Sequence, residues 1–469
     1  MNLQRTQKTI LACMLLLALL CALSSPQLLS QPSVVKPQRR LLDSATIVQR
    51  YGTIARDILA RAGKDSLAYT RLQYLCDTFG HRLSGSESLE RAIDWMLAEL
   101  KKDGFENVRG ETTLVPRWVR GAESCELLEP RRTPLAMLGL GGSIATPPEG
   151  ITAPVLVVGS LDELKARAAE ARGKIVLFNV PFTSYRATVR YRSDGAIKAA
   201  EVGAVASVIR SVGPYSMRTP HTGSMRYADS IAKIPHAALA NEDADMLARM
   251  QARGERLVMR LSMSAKQLPD TLSRNVIAEL RGREKPEELV VMGGHVDSWD
   301  VGSGAMDDAG GCLATWQALL ILKELNLRPR RTIRLVFWTN EENGLRGGED
   351  YARRHGSEPH VLAFESDGGV FKPEGFGFTG SADEFNMYRA AASLLAPIGA
   401  TAMRVGGGGA DISPLIPFGV PQMNLEVDGS KYFWYHHTQA DMPDKLNPRE
   451  LNDCAAAIAV MMYVAADAP

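Results

Sequence analysis

The sequence is poor in cysteine, nearly balanced in charge and without an apolar run long enough to cross a membrane. Six cysteines occur among its 469 residues, and no two of them form a CxxC pair. The four that lie beyond the N-terminal region are widely scattered, which argues against a small domain held by a disulfide framework. The formal net charge is +1, so the composition gives no indication of binding to nucleic acid or to an anionic surface.

The most apolar stretch near the N-terminus has the layout of a signal peptide. Arg5 and Lys8 precede the apolar run at 10–23, and small residues follow it. A basic start, an apolar centre and small residues at the end are typical of export signals. The run is shorter than the roughly 20 residues of a membrane span. We therefore predict a signal peptide over 1–25, a linker over 26–40 and a periplasmic or secreted protein, with a signal anchor as the alternative.

The periodicity of the apolar residues changes twice along the rest of the chain. Helical periodicity comes first, as in "SLERAIDWMLAELKKDGF", and short strand-like runs such as "GKIVLFNV" then alternate with helix-like pieces. In the last part, strands that are apolar throughout alternate with helices, which predicts a largely parallel sheet covered on both faces. The predicted fold is therefore α/β, with a mixed, mostly parallel sheet between helices and a small inserted α/β domain. The predicted boundaries are 41–117 and 269–469 for the main domain and 118–268 for the insert.

Histidine and carboxylate residues follow four of the predicted strands. They are His295 with Asp297, Asp307 and Asp308; Glu341 with Glu342; Glu365 with Asp367; and His436 and His437 with Asp441. The carboxyl ends of strands in an open α/β sheet gather at one edge, where sites form. Histidines and carboxylates suit zinc, and two zinc ions can share a bridging carboxylate. The charge of the metals would also offset the repulsion between so many carboxylates.

Two of these groups have an ordinary structural explanation when each is taken alone. Asp307 and Asp308 precede a predicted helix, whose N-terminus favours negative charge. Glu341 and Glu342 are also typical of a solvated loop. Gly406–Gly409 have no Gly-Lys-Ser/Thr after them, so tight turns explain them better than a phosphate loop. The coincidence of all four groups at strand ends favours the metal site.

Five stretches carry a resemblance to a known family. They are "GGHVDSWDVGSGAMDDAGG", "FWTNEENGLRGG", "FESDGG", "GGGGADISPL" and "DGSKYFWYHHTQAD", which together span most of 290–445. In these stretches the chain resembles the co-catalytic zinc exopeptidases that include the bacterial zinc aminopeptidases, and most closely the carboxypeptidase Q group. The insert is similar to a protease-associated domain through "GKIVLFNV" and "GAIKAAEVGAVASVI". The implied fold is that of the zinc exopeptidases.

The resemblance implies two Zn²⁺ ions per chain and a role for each residue. His295 and Asp367 would hold one zinc ion, Glu342 and His437 would hold the other, and Asp307 would bridge them. Glutamate at position 341, which is left without a metal, would be the general base.

Three further expectations concern the surroundings of these ligands. Asp297 would hydrogen-bond His295 and fix its tautomer, and Asp308 would shape the turn after Asp307. Neighbouring residues on an extended segment point to opposite sides, so only one of His436 and His437 should reach a metal. The family spacing His-x-x-x-Asp selects His437. Where the family has threonine after that aspartate, this chain has methionine, which puts a supporting hydrogen bond in doubt.

The predicted function is the hydrolysis of dipeptides or short peptides with free termini. The partners are then a small peptide and, as the resemblance suggests, a second copy of the chain; neither nucleic acid nor a stable membrane span is expected. Asp411 is a candidate for binding the substrate's amine, and one of the aromatic residues at 432–435 for the pocket wall. The alternatives are an aminopeptidase for longer peptides, a non-catalytic binding protein of the same fold, and a one-zinc relative such as a glutaminyl cyclase.

Overall fold

The computed structural model describes residues 40–469. The predicted signal peptide and nearly all of the predicted linker lie outside the described residues. No helix within the described range is both long enough and apolar enough to span a membrane.

Strands of the described chain form two sheets of eight strands each. In chain order they are β1 Glu106–Val119, β2 Glu123–Glu129, β3 Thr133–Leu135, β4 Met137–Gly139, β5 Ile151–Val158, β6 Ile175–Phe178, β7 Ala206–Arg210, β8 His236–Leu239, β9 Val258–Met263, β10 Lys266–Leu280, β11 Lys285–His295, β12 Arg331–Trp338, β13 His360–Glu365, β14 Pro373–Thr379, β15 Ala402–Val405 and β16 Gln422–Val427.

The first sheet has the order β1-β10-β12-β11-β13-β16-β14-β15. Its centre is parallel, because β11 pairs in parallel with both β12 and β13, and β13 pairs in parallel with β16. The pairs β1–β10, β10–β12 and β14–β16 are antiparallel. The sheet is therefore mixed with a parallel core, as the alternation of apolar strands and helices predicts.

Helices cover both faces of this sheet. The α-helices of the described chain are Ser44–Ala62, Leu67–Phe79, Glu87–Lys102, Leu161–Ala166, Ala168–Ala171, Tyr185–Glu201, Asn241–Ala252, Gly310–Glu324, Arg346–His355, Ala382–Ser393, Tyr432–Tyr435 and Pro448–Asp467. Side chains along β11 alternate between faces: Val290 and Met292 join the core that holds the helix Pro448–Asp467, whereas Val291 packs with Tyr351 on the other side. Burial on both faces explains why the strand is apolar throughout.

The second sheet is built wholly from residues between β1 and β10. Its order is β3-β2-β9-β5-β6-β7-β8-β4, with a parallel centre from β5 to β8. The chain leaves the first sheet at the end of β1 and returns at the start of β10, where Val119 pairs with Lys266. The residues between β1 and β10 therefore form an insertion, which has its own sheet and its own hydrophobic core. Its kinship to protease-associated domains stays a prediction.

Candidate metal centre

Three neighbouring strands of the first sheet end at the candidate site. His295 is the last residue of β11, and it pairs with Trp338 at the end of β12. On the other side Gly293 pairs with Glu365, the last residue of β13. Since these strands are parallel and in register, the segments that follow them meet at one edge of the sheet. Glu341, Glu342 and Asp367 lie on those segments.

Five predicted ligands meet in a continuous cluster. The imidazole Nε2 of His295 lies 3.2 Å from Asp307 Oδ1 and 3.3 Å from Asp367 Oδ1. The imidazole Nε2 of His437 lies 3.4 Å from Asp307 Oδ2 and 3.1 Å from Glu342 Oε2. Asp307 thus faces both histidines, one with each carboxylate oxygen. This is the arrangement that a bridging ligand between two metals requires.

The chemistry of the cluster fits zinc. Asp307 Oδ2 is buried and has no hydrogen-bond partner in the described chain, which is costly for a carboxylate unless a cation lies beside it. Imidazole nitrogens and carboxylate oxygens are common zinc ligands. Two groups of ligand atoms within 4.8 Å of one another contain Asp307, one with His295 and Glu342 and the other with His436 and His437. The donor set therefore suits a pair of zinc ions.

His436 and His437 point to the same side, contrary to the expectation from an extended segment. Their rings stack with centroids 3.5 Å apart, and His436 Nε2 lies 3.8 Å from Asp307 Oδ2. The reason is that His437 has a φ of 60°, so the chain turns at this residue and does not continue as an extended strand. His437 nevertheless stays the better ligand candidate, because it alone of the two contacts Glu342.

Asp297 supports the site in a different way from the one expected. His295 Nδ1 lies 3.0 Å from the backbone carbonyl of Asp297, and the Asp297 carboxylate is 3.8 Å away, too far for a hydrogen bond. That carboxylate instead accepts from the backbone amides of Glu341 and Glu342, at 3.1 and 3.3 Å, and from the Ser84 hydroxyl. The carbonyl orients the histidine, while the carboxylate holds the segment that carries both glutamates.

Two other aspartates hold the backbone around Asp307. Asp308 accepts from the backbone amides of His295 and Gly311, both at 3.1 Å, and so ties the end of β11 to the start of the next helix. Both oxygens of Asp308 accept hydrogen bonds from backbone amides. Asp308 therefore has the structural role expected of a carboxylate at the N-terminus of a helix, and Asp307 does not. Asp441 accepts from the amides of Met306 and Asp307, at 2.7 and 3.2 Å. These bonds fix where Asp307 points.

Arg82 is a structural residue of the site that no motif in the sequence marks. It is fully buried, and its guanidinium donates to the carbonyls of Val296, Ser303 and Gly304 at 2.9, 2.6 and 3.0 Å. Its backbone amide also donates to the Ser298 hydroxyl. One side chain thus holds both ends of the loop that separates His295 from Asp307.

A cavity of about 520 Å³ opens onto the cluster. Its lining includes Tyr185 and Arg192 of the insertion, which were not predicted, and Tyr432 and Phe433 from the predicted aromatic segment. Tyr185 and Arg192 are seven residues apart on one helix, which places them on the same face, but no motif marked them as functional. Asp411 is 1% exposed and does not line the cavity, so its predicted contact with a substrate amine is not supported.

Burial and mutual repulsion dominate the electrostatics of the cluster. Burial, with the negative charges of Asp367 and Asp307, raises the pKa of Glu341 to about 8. Burial, with the charge of Asp307, raises the pKa of Glu342 well above its usual value. Burial alone would lower the pKa of His295, but the adjacent carboxylates outweigh it and raise that pKa well above normal. These shifts favour protonation of the cluster in the absence of a cation, and a bound divalent cation would oppose it.

We expect the metal-free protein to lose stability as pH rises from about 6.5 to 8. The pKa is raised to about 8 for Glu341 and Glu365 and to about 7 for Asp441, mainly by burial. The folded state then holds protons that the unfolded chain has released, so the free energy of unfolding falls as pH rises through these values. The buried histidines with lowered pKa oppose this trend near pH 6.5, where unfolded histidines are half protonated, but they are neutral in both states above about pH 7.5. Thermal unfolding in chelator and in zinc, across this pH range, tests the expectation; a flat or rising midpoint in chelator would contradict it.

Comparisons with known proteins find similar sequences and similar folds over most of the chain. The model of peptidase family M28 matches residues 275–462. The chain is 48% identical to carboxypeptidase Q of Bos taurus over 435 residues, which is 92% of each protein. A crystal structure of a peptidase M28 precursor from Shewanella amazonensis SB2B is 37% identical with a TM-score of 0.86, covering 89% of this chain and 97% of that one. BSAP, a zinc aminopeptidase from Bacillus subtilis, shares the fold with a TM-score of 0.64 at 19% identity, over 85% and 94% of the two chains.

Proposed function

This chain belongs to peptidase family M28, and we propose that it is an exported di-zinc exopeptidase that hydrolyses dipeptides or short peptides with free termini. It is a metallopeptidase of the zinc exopeptidase type. The observation that carries the finer proposal is that four ligand-type side chains and Glu341 line one cavity, and that the fifth, His295, contacts two of those four from behind. A cavity of about 520 Å³ has the size of sites for small molecules, which suits a short peptide better than a folded substrate.

The proposed zinc sites use the contacts described above. His295 and Asp367 would hold one ion, Glu342 and His437 would hold the other, and Asp307 would bridge the two through its two oxygens. When bound, the zinc pair would supply an activated water and an electrophile for the scissile carbonyl. Asp308 also lies within ligand distance of His295 and Asp367. We place Asp297 and Asp308 outside the ligand set, because each of their oxygens accepts a hydrogen bond from a backbone amide, whereas Asp307 Oδ2 accepts none.

Glu341 is the proposed general base. Its carboxylate lines the cavity beside the ligands, with Oε2 4.0 Å from His295 Nε2. It would accept a proton from the attacking water and donate it to the leaving amine. Its backbone amide is bound by Asp297 at 3.1 Å, so its position is set independently of the metals.

The test of the proposed function is a panel of peptides hydrolysed by the zinc-reconstituted protein. Unblocked dipeptides are compared with N-acetylated dipeptides and with tetrapeptides. We expect cleavage of the free dipeptides and little cleavage of the acetylated ones, because acetylation removes the charge of the amine and adds bulk at that end. Failure to cleave any peptide, with zinc bound, would overturn the proposal and favour a binding protein of the same fold.

An aminopeptidase for longer peptides is the second candidate. It is favoured by the likeness to a probable leucine aminopeptidase 2 of Aspergillus fumigatus, 27% identical over 277 residues. Stepwise release of N-terminal residues from the tetrapeptides would establish this function. Export is tested separately by the N-terminal sequence of the mature protein, which should begin near residue 26.

A further inference from the structure

The two proposed zinc ions differ in which part of the chain holds their ligands. The first ion has a ligand oriented from within the main domain, because His295 Nδ1 lies 3.0 Å from the Asp297 carbonyl. The second ion, proposed to bind Glu342 and His437, has both of these ligands in contact with the insertion. The contacts come from residues 222–225, which we call the supporting segment.

Thr222 makes two hydrogen bonds with His437. The Thr222 amide donates to the His437 carbonyl at 2.9 Å, and the Thr222 carbonyl lies 3.3 Å from His437 Nδ1. When the other ring nitrogen binds a metal, Nδ1 carries the hydrogen, so the carbonyl accepts from it. The Arg192 guanidinium is 3.4 Å from the same Nδ1, but it has only donors and cannot replace this acceptor. Thr222 therefore fixes both the backbone and the tautomer of His437.

Ser224 holds the other ligand of the second ion by its backbone. The Ser224 hydroxyl donates to the Glu342 carbonyl at 2.8 Å, whereas the Glu342 amide donates to Asp297. The Trp299 amide donates to Glu342 Oε1 at 3.1 Å, and Oε2 faces His437. Glu342 is thus held by the main domain at its amide and at one carboxylate oxygen, and by the insertion at its carbonyl.

The supporting segment is itself fixed within the insertion. The Thr222 hydroxyl donates to the Gly139 carbonyl at 2.9 Å. The Gly141 amide donates to the Gly223 carbonyl, and the Met225 amide donates to the Gly141 carbonyl, both at 3.0 Å. Gly139 is the last residue of β4, a strand of the second sheet. The position of the segment therefore follows the position of the insertion's own sheet.

Arg120 and Asp300 join the insertion to the main domain beside this segment. Nε and Nη2 of Arg120 donate to the two oxygens of Asp300, at 2.9 and 2.6 Å, and Nη2 lies 3.2 Å from the Thr222 hydroxyl. Trp299, the neighbour of Asp300, packs tightly on Gly141, where a Cβ would lie 2.0 Å from the indole ring. The insertion is therefore docked on the same loop that donates to Glu342 through Trp299.

We propose that the insertion completes the second zinc site, with Thr222 and Ser224 as positioning residues for His437 and Glu342. The inference rests on the di-zinc function proposed above. Partners that orient metal ligands typically change metal affinity by about 10- to 100-fold, so binding of the second ion depends on the docked insertion, and binding of the first does not. The coupling is reciprocal: the second ion stabilises the docked insertion as much as the docked insertion stabilises the ion.

The experiment measures how tightly the full-length mature protein binds each zinc ion, by competition with a chelator. Ser224→Ala and Thr222→Val each remove one hydroxyl from the supporting segment with little change in shape. The matched controls are Ser230→Ala and Thr152→Val, which make the same changes at exposed positions of the insertion. Hydrolysis of a free dipeptide is recorded for every protein.

We expect Ser224→Ala and Thr222→Val to weaken the binding of one zinc ion by about 10- to 100-fold, with the other affinity and both controls unchanged. Two ligand variants identify the weakened ion. Glu342→Gln retains the first ion, whose affinity should not respond to the loss of either hydroxyl. Asp367→Asn retains the second ion, whose affinity should fall by the same factor as in the otherwise wild-type protein. Ser224→Thr keeps the hydroxyl and should restore binding.

Hydrogen exchange checks the reciprocal effect. The amides of Thr222 and Met225 should exchange more slowly with both ions bound than with the first ion alone, because the second ion holds the insertion in place. Equal weakening of both ions would make the two hydroxyls general supports of the fold, and no weakening would make the second site independent of the insertion. Either result overturns the proposal while the di-zinc function stands. A wild type that binds fewer than two ions, or that cleaves no peptide, would overturn the proposed function instead.

Discussion

Replacing Glu341 with glutamine should lower kcat by about 10²- to 10⁴-fold, the range that general acid–base catalysis contributes. Glutamine keeps the shape of the side chain but cannot accept the proton of the attacking water. Its backbone amide would still be held by Asp297, so the fold of the segment should survive. KM and the amount of bound zinc should stay close to the wild-type values. Steady-state kinetics on a free dipeptide, with metal analysis of the same sample, measures all three quantities.

Glu287→Gln is the matched control for this variant. Glu287 is exposed on β11, the strand that ends at His295, and its replacement should leave kcat unchanged. An unaltered kcat in Glu341→Gln would remove Glu341 from the proton transfer. A large loss of zinc together with activity would instead make Glu341 a ligand, contrary to the roles proposed for it and for Glu342.

Replacing Asp307 with asparagine should remove metal as well as activity. The two oxygens of Asp307 face His295 and His437, at 3.2 and 3.4 Å, and asparagine offers one neutral oxygen in their place. We expect bound zinc to fall from two ions per chain to one or none. A loss of several kcal/mol of transition-state stabilisation follows, which is more than about 100-fold in kcat/KM. Zinc stoichiometry after dialysis and kinetics at saturating zinc test the two parts.

Asp383→Asn controls for a general effect of charge removal, because Asp383 is exposed in the first turn of a helix away from the cluster. It should keep both zinc ions and full activity. If Asp307→Asn keeps two zinc ions, Asp307 does not bridge the metals. If the wild type itself binds only one, the chain uses the one-zinc chemistry that the sequence left open as an alternative.

Much of the fold follows from local pattern. The strand "LVVMGGH" at 289–295 is apolar without alternation, and it lies between β12 and β13 with both faces covered. Burial on two faces leaves no solvent-facing position for polar residues, so the pattern alone predicts a central strand. The site could be predicted to a similar extent, because ligand chemistry restricts residue types and the ends of parallel strands meet at one edge.

The sequence does not predict features of the site that depend on the local backbone conformation or on residues far away in the chain. The assumption of alternation at His436 and His437 failed because φ at His437 is 60°, a value that local sequence rarely reveals for a residue other than glycine. The sequence predicts that Asp297 pairs with His295 two residues away, yet its carboxylate accepts hydrogen bonds from the amides of residues more than forty positions later. Hydrogen-bond partners depend on where a loop folds, which short-range patterns do not encode.

By itself, the sequence determined the class of fold, the kind of ligand and the order in which candidate ligands follow the strands. These depend on burial and on chemical type, which are properties of single residues and their spacing. Only the tertiary structure brought Arg192 beside His437, across 245 positions of the chain, and set Arg82 under the loop that carries Asp307. The insertion contributes its cation to the cavity through the packing of one domain on another. That packing depends on many weak contacts, and no single sequence motif predicts it.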